Sequence, residues 1–205
     1  MKKQTYFITG ISTEVGKTIV SAIVTQALQA DYWKPVQAGE LQHSDTHKVQ
    51  ELVSNTKTKF HASAFNLETP SSPHAAAKID GVSLSLKKIQ RPKTQNNLVI
   101  EGAGGLLVPL NDTQTITDLI PPLDKVIVVS RHYLGSINHT LLTIEALKSR
   151  GIPIFGIIFN GEKHPSTETI IAKMSGISIL GRIDQEPYFD QNVVKQYAQD
   201  FKSKL

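Results

Sequence analysis

Gly10-Ile11-Ser12-Thr13-Glu14-Val15-Gly16-Lys17-Thr18 is a glycine-bounded loop that follows the apolar run Tyr6-Phe7-Ile8 and leads into a strongly apolar helical pattern. The residue types suit a phosphate cradle. Successive backbone N–H groups in such a loop turn toward an anion, the following helix presents its positive end, and a lysine reaches the terminal phosphates. Thr18 adds a hydroxyl suited to magnesium. The usual form is G-x-x-x-x-G-K-[ST], whereas five residues separate Gly10 from Gly16 here and Ile11 takes the place of the first glycine. A glycine-capped strand-to-helix turn with a chance Lys-Thr is the alternative. Context favours the cradle: Ile19, Val20, Ala22, Ile23, Val24, Ala27 and Leu28 recur at helical spacing, so strand, loop and helix come in the order a phosphate site requires.

Apolar strand-like runs recur at 5–9, 32–36, 98–100, 126–129, 154–159 and 177–180, and several are continuous, as in strands buried on both faces. Helical patterns intervene at about 17–30, 45–54, 136–149, 166–175 and 190–203. The alternation predicts an α/β fold with a mostly parallel sheet and helices on both faces. With the loop at 10–18, this is a P-loop nucleotide hydrolase fold, and 205 residues suit a single domain spanning 1–205. Residues 55–95 break the rhythm with Pro70, Pro73 and Pro92, a Ser71-Ser72-Pro73-His74 turn and a short helix candidate at Ala75-Ala76-Ala77-Lys78. A surface excursion beside the site is expected there.

No apolar stretch approaches the roughly 20 residues needed to cross a bilayer, and Met1-Lys2-Lys3-Gln4-Thr5 runs directly into the first strand instead of a signal peptide. A cytoplasmic protein without a membrane partner is expected. Zero cysteines exclude disulfides, thiolate metal sites and cysteine nucleophiles. The 22 Lys+Arg against 18 Asp+Glu give a net charge of +4, and the basic residues are scattered, without aromatic interleaving. That argues against nucleic acid and suits an anionic small ligand.

Leu98-Val99-Ile100-Glu101-Gly102-Ala103-Gly104-Gly105 reads as an apolar strand ending in a carboxylate and opening into a glycine-rich turn. Ligands of parallel sheets sit outside the carboxyl ends of strands, so Glu101 is placed beside the phosphate loop as a magnesium arm; an ordinary turn residue is the alternative. His43-Ser44-Asp45-Thr46-His47 reads better as a helix start than as a metal cluster, with Asp45 either a second magnesium ligand or a helix cap. Lys34-Pro35-Val36 closes a strand with a lysine that is either solvated or placed to stabilise charge on a transferred group. Leu134-Gly135-Ser136-Ile137-Asn138-His139 supplies capping or anion-binding groups at a helix start, with His139 more naturally structural than catalytic. Asn160-Gly161 reads as a turn or as a partner for a purine edge.

Together these motifs resemble the dethiobiotin synthase family across most of the chain: Glu14 to Thr18, Lys-Pro-Val at 34–36, Ser-Asp at 44–45, Ser-Pro-His at 72–74, Glu-Gly-Ala-Gly-Gly at 101–105 and Leu-Gly-x-Ile-Asn-His at 134–139. The resemblance implies an ATP-dependent, magnesium-requiring ligase of biotin biosynthesis. Its substrates would be 7,8-diaminononanoate, carbon dioxide (or bicarbonate) and ATP, and its products dethiobiotin, ADP and phosphate, through a carbamate and a phosphorylated carbamate. It further implies that Thr18, Asp45 and Glu101 hold magnesium and that Lys17, Lys34 and Thr13 serve the carbamate. Glu14, Val15, Gly16, Lys17 and Thr18 would bind ATP together with Gly102, Ala103 and Gly104, while Asn160 and Gly161 meet the base. Ala38 would line the substrate pocket, and Gly135, Ser136, Ile137 and Asn138 would reach substrate across a homodimer. Three positions depart from common family forms: Ser12 replaces a frequent aspartate, Ala38 a serine, and Asp184-Gln185-Glu186 a Pro-x-Leu stretch beside adenine. Partitioning-type ATPase switches share the fold, but they carry an early loop lysine that positions 11–15 lack. A related P-loop amidoligase is the nearer enzymatic alternative.

Overall fold

The computed structural model describes residues 3–205; Met1 and Lys2, read above as running into the first strand, lie outside the described residues. The chain runs β1 (Thr5–Gly10), α1 (Lys17–Leu28), β2 (Asp31–Trp33), β3 (Val36–Ala38), α2 (Asp45–Leu52), β4 (Phe60–His61), β5 (Phe65–Leu67), α3 (Pro73–Ile79), β6 (Leu98–Gly105), β7 (Lys125–Arg131), α4 (Ser136–Lys148), β8 (Ile154–Asn160), α5 (Pro165–Ser175), β9 (Ile179–Ile183) and α6 (Gln191–Lys202). Seven strands form the main sheet in the order β4-β2-β6-β1-β7-β8-β9, and every pairing within it is parallel.

Alternation along the strands divides the core. Tyr6, Ile8, Val99, Ile127 and Val129 face Val20, Ile23 and Val24 of α1 and Val194 and Phe201 of α6. Phe7, Leu98, Ile100, Val126 and Val128 face the opposite way, with Ala76 and Ala77 of α3 and Leu147 of α4. A sheet buried on both faces explains the continuous apolar runs.

Three elements differ from the sequence expectation. The run 32–36 is not one strand: the chain leaves the main sheet after Trp33, and β3 pairs with β5 in a separate parallel two-stranded sheet. Pro35 lies at the break, where its missing N–H cannot continue a ladder. Second, β6 extends through the expected glycine turn to Gly105, which pairs with Gly10 across an irregularity in the ladder. Glycine suits this stretch because a Cβ at Gly102 would lie 3.1 Å from the Phe7 ring. Third, the last strand is Ile179–Ile183 rather than 177–180, since α5 ends at Gly176 in a left-handed conformation (φ 68°) and leaves Ile177 outside the strand.

Residues 55–95 supply β4 at the sheet edge, β5 beside β3, and α3, whose Pro73, Ala76 and Ala77 are buried. Among the described residues, no helix is long and apolar enough to cross a membrane.

Asp31 ties this segment to the sheet. Its buried carboxylate accepts from Lys59 N (3.2 Å), Thr94 Oγ1 (2.6 Å) and Asn96 Nδ2 (3.2 Å), and it pairs with His61 Nε2 at 3.1 Å. Burial alone would raise the Asp31 pKa, but the donors, Thr94 foremost, outweigh burial and hold it below 3.8. A depressed folded-state pKa contributes stability that is present above the ordinary carboxylate range and lost as pH falls through the depressed value. Asp31→Ala should therefore cost about 3 kcal/mol at neutral pH, with the difference from wild type shrinking below about pH 4. Urea unfolding across that range measures both.

Candidate active site

The loop after β1 closes onto the first turn of α1. Gly16 caps that helix at φ 96°, a conformation that side chains disfavour, and Glu14 also takes positive φ, at 53°. Lys17 opens α1 almost fully buried, with Nζ donating to the Ser12 carbonyl at 3.1 Å. Burial depresses its pKa from 10.5 to about 8, more than the Glu101 and Asp45 charges restore. Asn160, at the end of β8, donates from Nδ2 to the Val15 carbonyl at 2.9 Å, so its amide braces the loop.

Strand register assembles the charged cluster. Tyr32 pairs with Val99 and Trp33 with Ile100, so residues 32 and 34 flank Glu101 on the face that carries α1. Lys34 Nζ lies 2.7 Å from Asp45 Oδ2 and 3.2 Å from Glu101 Oε1. Thr18 Oγ1 lies 3.0 Å from Glu101 Oε1 and 3.2 Å from Asp45 Oδ1. Tyr32 completes the group, its hydroxyl donating to Glu101 Oε2 at 2.9 Å.

Burial excludes the solvated-lysine and turn readings of Lys34 and Glu101, and the capping bond excludes the cap reading of Asp45. Lys34 is 4% exposed and Glu101 1%, so neither is a solvated strand-end or turn residue. Burial would lower the Lys34 pKa, but Glu101 and Asp45 outweigh it and leave the ammonium firmly charged. Ser44, not Asp45, caps α2 by accepting from His47 N at 3.3 Å. The Asp45 carboxylate is thereby free for Lys34, which overcomes burial and holds its pKa below 3.8.

Three clefts are lined by residues of the predicted site, one of them by the cluster itself. One, of about 250 Å³, brings together Thr13, Lys34, Ala38, Asp45, Ala103 and Gly104. A second, of about 440 Å³, is lined by Ser12, Thr13, Leu107, His139 and Leu142. A third, of about 460 Å³, joins Asn160 and Gly161 to Asp184, Gln185 and Glu186. This last segment is pinned by α6: Asp184 N donates to Tyr197 Oη at 3.0 Å, and that hydroxyl donates to Glu186 Oε1 at 2.6 Å.

Gly135, Ser136, Ile137 and Asn138 form the start of α4 and line none of these three clefts. His139 Nδ1 is hydrogen-bonded to Tyr133 Oη at 2.7 Å, as suits a structural histidine. Tyr32 and Gln37 escaped the sequence reading. Gln37 accepts from Asp45 N at 3.2 Å and donates to the Gly39 carbonyl at 3.0 Å, bracing the start of α2. The Tyr32 contact follows from the pairing of β2 with β6, and the Gln37 contacts from the turn that brings α2 back beside β3.

A family model described as an AAA domain matches residues 4–193. The chain is 63% identical over 202 residues to the ATP-dependent dethiobiotin synthetase BioD of Christiangramia forsetii, with 98% of each chain covered. It is 52% identical over 200 residues to the protein of the same name from Cytophaga hutchinsonii, covering 97% of this chain and 96% of that one. Among solved structures, it superimposes on a ParA family ATPase from Chlorobium tepidum TLS with a TM-score of 0.55 at 13% identity, covering 96% of this chain and 98% of that one.

A buried lysine whose charge is disfavoured by its surroundings weakens the ligand-free fold. Lys17→Met should raise Tm by about 5 °C while weakening ATP binding about 100-fold. Calorimetry of unfolding and of nucleotide binding reads the two effects separately.

Proposed function

The chain belongs to the ATP-dependent dethiobiotin synthetase family, and from that premise we propose that the cluster around Lys34 activates a carbamate for ring closure. The protein is an ATP-dependent ligase that forms a carbon–nitrogen bond. Its substrates in this reading are 7,8-diaminononanoate, carbon dioxide and ATP. One amine adds to carbon dioxide and loses a proton, giving a carbamate. A carbamate oxygen attacks the γ-phosphorus as its bond to ADP breaks. The second amine then attacks the carbamate carbon, phosphate departs with the carbon–oxygen electron pair, and loss of a proton leaves the cyclic urea.

Most of this chemistry asks the protein for position and charge. Lys17 and the backbone from Glu14 to Thr18 hold the ATP phosphates. Thr13 and Lys34 line the cleft where the carbamate lies, and the Lys34 ammonium offsets negative charge on the carbamate oxygen and the transferred phosphoryl group. Ala103 and Gly104 border that cleft, with Gly102 next to them in β6, and Ala38 lies on its substrate wall. The base occupies the cleft at Asn160, Gly161 and Asp184–Glu186.

The Thr18 hydroxyl lies within hydrogen-bond distance of both the Asp45 and the Glu101 carboxylates, a hard-oxygen set that fits magnesium completed by phosphate and water. When bound, magnesium supplies charge neutralisation on the phosphates. A second copy of the chain covers the apolar surface at Leu134, Leu142 and Leu107, which are 104%, 59% and 49% exposed, and brings Gly135 to Asn138 toward the substrate carboxylate.

The observation that carries this reading is the Lys34 ammonium held between Asp45 and Glu101 beside the phosphate loop, in a chain 63% identical to a named synthetase. Phosphate release should require magnesium, bicarbonate and the diamine together, with dethiobiotin as the organic product. Diamine-independent turnover would overturn it. Lys34→Ala should lower kcat about 100- to 1,000-fold and leave ATP affinity at saturating magnesium within about 3-fold, since in this reading the ammonium acts on charge that develops during transfer and saturating magnesium offsets its loss beside Asp45 and Glu101. Stopped-assay rates and binding calorimetry on the same preparation check the split.

A further inference from the structure

The Tyr32 ring is fully buried in β2, against the core shared with α1, and its centroid lies 6.1 Å from that of Phe60. A buried phenol needs a hydrogen-bond partner, and here the partner is Glu101 Oε2 at 2.9 Å. The other oxygen of the same carboxylate, Oε1, faces Thr18 at 3.0 Å and Lys34 at 3.2 Å. The two oxygens of Glu101 are thus divided between the core and the site.

We propose that Tyr32 is a positioning residue for the reaction: its hydroxyl fixes the Glu101 carboxylate so that Oε1 alone faces Thr18 and the phosphate loop, giving a one-oxygen ligand for a divalent cation. The inference rests on the reading of Glu101 as a cation-holding carboxylate. Register brings the two together, because Tyr32 opposite Val99 stands on the same face as Glu101 two residues further along. A phenol hydroxyl facing a carboxylate oxygen is the donor of the pair. Without that donor the carboxylate is free to rotate, and both oxygens compete for Lys34 and Thr18. Groups that orient a metal ligand in this way commonly change metal affinity by about 10- to 100-fold.

Tyr32→Phe removes one oxygen and keeps the ring that packs the core. In binding calorimetry with ADP, the magnesium concentration for half-maximal effect should rise about 10-fold, while affinity for ADP without magnesium stays unchanged and Tm falls by no more than about 4 °C. An unchanged magnesium dependence would overturn the proposal and leave Tyr32 a packing residue. Glu101→Gln in the same titration separates the two readings. If it weakens the magnesium effect while Tyr32→Phe does not, only the role of Tyr32 falls. If Glu101→Gln is also without effect, the cation-holding role of Glu101 falls, and the Tyr32 proposal with it.

Discussion

Lys34 is a cation taken out of water, and the structure around the site is what makes that tolerable. Its ammonium touches both Asp45 and Glu101. Removing either carboxylate would leave buried charge without an adequate counterion, a defect that typically costs about 3–5 kcal/mol. Asp45 must therefore begin α2 where it does, and Ser44 and Gln37 hold that helix start in place. Glu101 must end the apolar part of β6, and Tyr32 and Thr18 take up its remaining hydrogen-bonding capacity. The packing of α1, α2, β2 and β6 and the electrostatics of the cluster are one constraint viewed from two sides.

The two buried lysines divide the cost unequally. Lys34 has carboxylates close enough to outweigh desolvation, so its pKa rises. Lys17 has a carbonyl at 3.1 Å and more distant charges, so burial dominates and its pKa falls to about 8. A phosphate chain lying in the loop would provide the counter-charge that Lys17 lacks. The fold thus keeps Lys34 neutralised internally and leaves the loop lysine electrostatically unfinished, as expected of a site whose ligand is an anion.

Much of this was legible in the chain itself. The order of strands and helices follows from apolar runs whose length and continuity reflect burial on both faces, and the glycines of the loop at 10–18 mark the turn from β1 into α1. The turn chemistry of Ser44-Asp45 correctly placed a helix start. The division of 32–36 into two sheets was illegible, because every residue there except Lys34 and Pro35 suits a strand and the partner of β3 lies in β5, beyond α2. The extension of β6 to Gly105 was hidden by glycines that usually signal a turn but here permit close approach to β1. Tyr32 was invisible as a site residue because its role depends on register, and register is a property of pairs of strands.

Fold and function separate cleanly in this molecule. A ParA family ATPase shares the architecture at 13% identity, while the synthetases share the sequence at 63% and 52%. A parallel sheet with a loop at the carboxyl end of β1 is a general solution to holding phosphate, and it does not dictate what the phosphoryl group is transferred to. What narrows the chemistry is the adjoining edge. There the chain breaks at Pro35, turning Lys34 inward beside Glu101 and leaving Thr13 and Ala38 around a small cleft. That cleft has room for a carboxylate-sized group next to the phosphate loop. On the proposed reading the acceptor is held in the same electrostatic field as the donor, and the break that ends β2 distinguishes this ligase from a nucleotide switch built on the same sheet.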